Sequence, residues 1–306
     1  MISRGNRLDW MRWPIALVVL LALAPLVAGC GSSSSSGKSS SSVKYGQLIL
    51  ATTTSVKDSG LLDSVVLPAF KTLHPDITVK TVAIGSGDAI AMAKRGDADV
   101  LIVHSPSDES AFMAAGEGTF RIPFAYNYFT IVGPASDPAA VKGSATAAEA
   151  FKKIAQKQAL FVSRGDASGT NKKELKIWND AGVTGDPAQP PKGSWYITTG
   201  QGMGATLQVA SQKQGYTLTD LATYLSAKTT LQLVPLIKQS KDLKNQYDVI
   251  LLNQAKHNKV NAAAAELLAA YLVSADGQAA IGAYGADKYG QALFFPDAGE
   301  ISVPLK

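Results

Sequence analysis

The chain has 306 residues, 46% hydrophobic and 17% charged, with a formal net charge of +5. That length supports two lobes of ordinary size, and the charge is too mild, with no run of like charges, for a nucleic-acid or polyanion partner. A single cysteine, Cys30, excludes a disulfide framework and a cysteine-held iron–sulfur cluster.

In chain order, Arg4, Arg7 and Arg12 give a basic start, residues 14–29 (PIALVVLLALAPLVAG) an apolar run, and Val27-Ala28-Gly29-Cys30 a close. The run falls short of the roughly 20 apolar residues that span a bilayer, so residues 1–29 read as a cleaved leader. Small residues directly before the cysteine resemble a bacterial lipobox, which makes Cys30 the expected lipidated first residue of the mature protein. Several acyl chains would hold it stably on the outer face of a membrane. The segment 30–45 (CGSSSSSGKSSSSVKY) is rich in serine, buries little and is expected to be a flexible tether.

From Gly46 onward, short β-branched runs alternate with amphipathic segments, the pattern of an α/β fold. Strands are predicted at 47–51 (QLILA), 77–84 (ITVKTVAI), 99–103 (DVLIV) and 126–132 (YNYFTIV). Between them, Leu62, Val65, Val66, Ala69, Phe70 and Leu73 share a helical face that Pro68 should kink or restart. A short helix is predicted at 88–95, ended by Gly96. A second run follows Gly133-Pro134, with helices near 146–157, 170–180 and 203–213 and strands at 160–163 and 195–198. A late strand at 247–252 and an Ala/Leu-rich helix at 260–273 are expected to return to the first lobe. The expected organisation is therefore lobe I at 46–130 and 245–306 and lobe II at 131–244, with two strand crossings as a hinge and a ligand cleft between the lobes.

Four turns stand out because each places hydroxyl or glycine residues just before a helix: Thr52–Ser55, Gly85-Ser86-Gly87, Ser163–Thr170 (SRGDASGT) and Thr198–Gly202. A helix start presents unpaired N–H groups and the positive end of a dipole, so it attracts an anion. Glycine lets the backbone approach closely, and hydroxyls add donors that rotate to suit. Taken singly, each is an ordinary helix cap; two in each lobe would converge on one cleft. Arg164 is the one strongly cationic group in these turns, and its planar fork suits two oxygens of an anion or a pair with Asp166.

The stretches ATTTSVKDSGLLD (51–63), KRGDADVLIVHSP (94–106), SRGDASGT (163–170), TTGQGM (198–203) and KYGQALFFPD (288–297) resemble the tungstate-binding component of tungstate ABC transporters, the TupA type. The resemblance covers most of the mature domain. It implies a class II periplasmic-binding-protein fold whose lobes close on an oxyanion. It also implies ligand contacts from Thr54, Ser55, Ser86, Arg164, Ser168, Gly169, Thr170, Thr199 and Gly200. The implied ligand is tungstate or molybdate, the implied partners are a permease with its ATPase, and no cofactor or catalytic residue is expected.

Two other readings stand beside it. SRGDASGT is also similar to a turn of phosphate-binding proteins, which place an Asp at the end of a first-lobe strand; here that stretch is Val103-His104-Ser105-Pro106, with Asp108 nearby. Gly200, Gly202 and Ala205, followed by Asp220, resemble a dinucleotide-binding fingerprint of an oxidoreductase, but Asp220 reads as a helix cap and not as a strand end. No nucleophile-elbow, zinc-protease or P-loop motif is present. His74 and His257 are expected at the surface, while His104, at a strand end, is left between the cleft and a structural role. Trp178, Trp195, Tyr196, Phe294 and Phe295 are expected in the core.

Overall fold

The computed structural model describes residues 45–238 and 240–298. The expected leader, Cys30 and all but the last residue of the tether lie outside the described residues. No helix among the described residues is long and apolar enough to cross a membrane.

The first run comprises β1 (Gly46–Thr53), α1 (Thr54–Asp58), α2 (Leu67–Leu73), β2 (Ile77–Ile84), α3 (Ser86–Lys94), β3 (Val100–Val103), α4 (Pro106–Ala114) and β4 (Gly118–Pro134). Then follow α5 (Ala147–Lys157), β5 (Phe161–Ser163), α6 (Gly169–Asp180), β6 (Tyr196–Thr198), α7 (Met203–Lys213), β7 (Thr217–Asp220), α8 (Leu221–Ala227) and β8 (Leu233–Lys238). The chain returns through β9 (Lys244–Leu252), α9 (Ala262–Val273), α10 (Ala275–Ala283), α11 (Ala286–Tyr289) and β10 (Phe295–Pro296).

The first lobe is built on a sheet of order β10-β4-β9-β3-β1-β2. Its β1 is parallel to β2 and β3, whereas β9 is antiparallel to β3 and β4. Both faces are covered, and the two-residue period assigns side chains to them. Leu48, Leu50, Val100, Ile102, Val249 and Leu251 enter one core with Phe70 and Leu268. Ala51, Leu101, Val103, Ile250 and Leu252 enter the other with Ala89 and Phe112. Burial on both faces explains why these strands read as continuous apolar runs.

β4 joins the lobes. Up to Tyr128 it pairs with β9, and from Phe129 it pairs with β7 and β8. Phe129 and Ile131 enter a second-lobe core around Phe151, Phe161 and Trp178, and Val132 faces another with Val162, Met203 and Leu207. α8 serves both lobes: Ala222 lies in the first-lobe core and Tyr224 in the second.

Pro68 sits in the first turn of α2, where its missing N–H costs nothing, and the preceding turn is a π-helical stretch, Leu62–Val66. The helical run is nevertheless unbroken over residues 61–73, with the π-helical turn directly before the proline. Trp178 and Phe294 are fully buried, with Trp195, Tyr196 and Phe295 partly so. His257 departs from its expected surface position: it is 8% exposed, with Nε2 2.9 Å from Glu117 Oε2.

Candidate functional site

Arg164 follows β5 and is 2% exposed. Its Nε and Nη2 donate to Asp166 Oδ2 at 3.1 and 2.5 Å, and Nη2 also donates to Thr54 Oγ1 of the other lobe at 3.0 Å. Of the two sequence alternatives for Arg164 the pair with Asp166 is present, and Asp166 braces the guanidinium while it reaches across the cleft to Thr54. The remaining nitrogen, Nη1, is buried without a hydrogen-bond partner among the described residues.

Two further buried hydroxyls share that condition: Ser86 Oγ in the first turn of α3 and Thr170 Oγ1 in the first turn of α6. Ser86 lies across the cleft from the start of α6, where Gly169 precedes Thr170. A Cβ built on Gly169 would stand 3.0 Å from Ser86 Oγ and 2.7 Å from the His104 carbonyl oxygen, so glycine is what lets the two lobes meet there. Ser168 caps α6 by accepting the Asn171 N–H at 3.3 Å, and its own N–H donates to Asp166 Oδ1 at 3.2 Å. Asp166 therefore orients both Arg164 and the turn that starts α6. Buried polar groups in folded proteins are nearly always paired; an arginine N–H and two hydroxyls left over at one junction form a donor set suited to an anion.

The Thr199-Gly200 turn is placed differently. The N–H groups of Thr199 and Gly200 donate to the carbonyls of Ser163 and Arg164 at 3.0 and 2.8 Å, and Thr199 Oγ1 lies 2.8 Å from Thr206 Oγ1. Those donors are committed inside the second lobe, where the turn supports the Arg164 backbone. Gly200 adopts φ +66°, the left-handed region that favours glycine.

Ser55 is fully buried, with its Oγ 3.0 Å from His104 Nε2. His104 Nδ1 is 2.9 Å from Asn245 Oδ1, and the Tyr247 ring stacks on the imidazole at 5.0 Å between centroids. Burial, then the field of Arg164, pushes the His104 pKa down to about 4, so the ring is neutral near pH 7. The sequence left His104 open and did not single out Asn245; polar residues inside apolar strands were the one local signal for Asn127 and Asn245.

Asp108, the carboxylate closest in sequence to the strand end, is engaged by Lys172 Nζ and by Ser105 Oγ, the latter at 2.7 Å. Asp220 is both the last residue of β7 and the cap of α8, so it does end a strand, contrary to the sequence reading. β7, however, runs antiparallel to β4, and the buried carboxylate takes Thr223 N–H and O–H at 2.8 and 2.6 Å. It cannot reach a ribose, and the dinucleotide resemblance fails there.

A cavity of about 1030 Å³ opens beside the junction, lined by His104, Phe129, Gly165, Gly169, Lys173 and Asn245 among others. It draws on both lobes, on β4 through Phe129 and on β9 through Asn245.

Residues 31–276 match the PBP superfamily domain. The chain is 44% identical over 287 residues to the tungstate-binding protein TupA of Peptoclostridium acidaminophilum, covering 93% of this chain and 97% of that one. Among solved structures, the tungstate ABC transporter protein from Geobacter sulfurreducens superposes with a TM-score of 0.70 at 41% identity, covering 78% of this chain and 98% of that one. The tungstate-binding protein TupA from Desulfovibrio alaskensis G20 does so at 0.68 and 41%, covering 83% and 99%. Identity at this level over nearly the full length of each relative, together with the two-lobed α/β architecture, places the chain in the TupA-type family of periplasmic-binding-protein-like solute-binding proteins.

Proposed function

We propose that this protein is an extracytoplasmic solute-binding lipoprotein that captures tungstate, or molybdate, between its lobes and delivers it to the permease and ATPase of an ABC importer. The observation that carries the reading is that Arg164 Nη1, Ser86 Oγ and Thr170 Oγ1, contributed by both lobes, are buried without hydrogen-bond partners among the described residues. The proposed ligand contacts are Thr54, Ser55, Ser86, Arg164, Ser168, Gly169 and Thr170, with Thr199 and Gly200 supporting the arginine loop. Lobe I corresponds to 46–130 and 245–306 and lobe II to 131–244, with α8 at their junction.

Tungstate and molybdate are fully ionised near neutral pH, so donors suit them and a carboxylate acceptor does not. Hydrogen phosphate carries a proton and gains from an acceptor. Asp166 is occupied by Arg164 and Ser168, and Asp108 by Lys172 and Ser105, which favours the fully ionised anions. The names of the relatives support the same choice. No step of catalysis is assigned to these residues.

Calorimetric titration of residues 46–306 with tungstate, molybdate, sulfate and phosphate tests the reading. Tungstate or molybdate should bind one per chain, without turnover; binding of phosphate alone would replace it. The lipid anchor rests on Val27-Ala28-Gly29-Cys30, and Cys30→Ala expressed in the native host should lose membrane association after leader cleavage.

A further inference from the structure

The hydrogen bonds beneath the cleft form a chain whose direction is fixed at one end. Asp220 is buried, its pKa raised by burial to about 6, so it is a carboxylate and an acceptor at neutral pH. Asn127 must present Nδ2 to it, across 3.4 Å, and therefore turns Oδ1 to Asn245. Asn245 donates Nδ2 to that oxygen at 2.8 Å and to the Tyr247 hydroxyl at 2.7 Å, leaving Oδ1 for His104 at 2.9 Å. An amide oxygen only accepts, so His104 carries its hydrogen on Nδ1. Nε2 is then a lone pair, and the bond to Ser55 at 3.0 Å must be donated by the Ser55 hydroxyl. Thr53 Oγ1 takes the Val56 N–H and stands 3.3 Å from Ser55 Oγ, so its own hydrogen is directed to Ser55.

In the neutral state, therefore, Ser55 gives its hydrogen to His104 and keeps only lone pairs for anything else. That is the wrong polarity beside a dianion. We propose that His104 is a positioning residue that makes anion capture proton-linked: on binding, a proton from solvent goes to Nε2, which then donates to Ser55 Oγ, and the Ser55 hydroxyl hydrogen turns to an oxygen of the anion. The inference rests on the oxyanion reading of the cleft.

The charged surroundings favour this exchange. Arg164 on the β5–α6 loop is the charged group whose field bears on His104, and it opposes the proton while no anion is present. A dianion offsets that field. Asp166 pairs with Arg164, Asp220 acts through two amides, and Tyr247 on β9 stays protonated because burial raises its pKa. On α1, Asp58 and Lys57 are exposed, and on α4 and α6, Asp108 and Lys172 neutralise each other. On β9, Asp248 is paired with Arg121.

Titration calorimetry with micromolar tungstate, at pH 6.5, 7.5 and 8.5 in two buffers of different ionisation enthalpy, counts the protons taken up. The wild-type protein should take up part of a proton per anion, more at the lower pH, with Kd weakening by up to about tenfold per pH unit as uptake approaches one. His104→Gln and Ser55→Ala should each abolish the uptake and flatten the Kd against pH. Asn245→Asp, which stabilises the doubly protonated ring before the anion arrives, should reduce uptake and serves if His104→Gln fails to fold. Tungstate binding without proton exchange in the wild type, or undiminished exchange in Ser55→Ala, overturns the proposal. A wild-type protein that produces no tungstate heat overturns the ligand reading itself.

Discussion

At Arg164 the guanidinium is divided between two tasks, with Nε and Nη2 tied to Asp166 and Thr54 and Nη1 left over. A hydrogen bond to a charged group contributes about 1.5–3 kcal/mol, so Arg164→Ala should weaken tungstate binding by roughly ten- to a hundredfold. Arg164→Lys should recover part of this, because an ammonium cannot reproduce the fork. Calorimetry beside melting curves of the ligand-free variants checks both; a folded variant with unchanged affinity removes Arg164 from the site. Ser86 and Thr170 allow a cleaner separation. A buried hydroxyl without a partner costs about 1–3 kcal/mol, so Ser86→Ala and Thr170→Ala should leave the ligand-free melting temperature unchanged or raised while weakening tungstate binding. A fall in ligand-free stability would instead assign these hydroxyls to the scaffold. Away from the cleft, Glu109 lies against Asp248, with Arg121 Nη2 2.9 Å from Glu109 Oε2 and Arg121 Nε 2.6 Å from Asp248 Oδ2. Burial, and then the Asp248 carboxylate, raise the Glu109 pKa above its ordinary value of 4.5. The folded state therefore holds a proton that the unfolded state releases, and stability should fall as pH rises from about 4.5 toward the raised value. Glu109→Gln should flatten that fall in urea-unfolding free energies measured from about pH 5 to 9.

The turn at the start of α6 makes Gly169 the clearest prediction at the level of elements. Its φ is not in the left-handed region, so alanine is allowed by the backbone, but the added Cβ would press on the His104 carbonyl and Ser86 Oγ of the other lobe. Overpacking a close contact costs about 1–3 kcal/mol, so Gly169→Ala should weaken tungstate binding by roughly ten- to a hundredfold by opposing closure, with the lobes still folded. Small-angle scattering should show the variant failing to contract on adding tungstate; normal contraction would contradict this. Elements of this local kind were legible in the sequence. Hydroxyls and glycines before apolar helical patterns marked the starts of α1, α3, α6 and α7, and the Thr53 and Ser168 caps have the expected bonds. Less legible was the first half of β4, because Pro123 reads as a strand breaker; the sheet accommodates it with a register shift between Pro123 and Ala125. α4 was not anticipated, and α8 was marked in the sequence only by its cap, Asp220. Least legible of all was the His104 network, whose partner Asn245 lies 141 residues away, a separation that no local pattern encodes.

The two lobes share β4, which is paired in both sheets, and they are bonded across the cleft by Arg164 to Thr54 and by Lys172 to Asp108. Thr223 Oγ1 on α8 also lies 3.4 Å from the Ser55 carbonyl oxygen, and Ser226 Oγ donates to the Asp58 carbonyl at 3.2 Å. Unfolding either sheet exposes half of β4 and strips the other of an inner strand, so the lobes should melt together in one transition. A ligand held by both lobes binds only the folded, closed molecule and stabilises it by RT ln(1 + [L]/Kd), about 2.7 kcal/mol at one hundred times Kd. For a protein of this size each kcal/mol moves the midpoint by roughly 2–4 °C, so saturating tungstate should raise it by about 5–11 °C. The shift should keep growing with the logarithm of concentration beyond saturation, because linkage and not site filling sets it. Differential scanning calorimetry across a tungstate series distinguishes the alternatives. One peak moving as a whole is the expected result, whereas two peaks of which one stays fixed would mean that the anion is held by a single lobe and that closure contributes nothing to its capture.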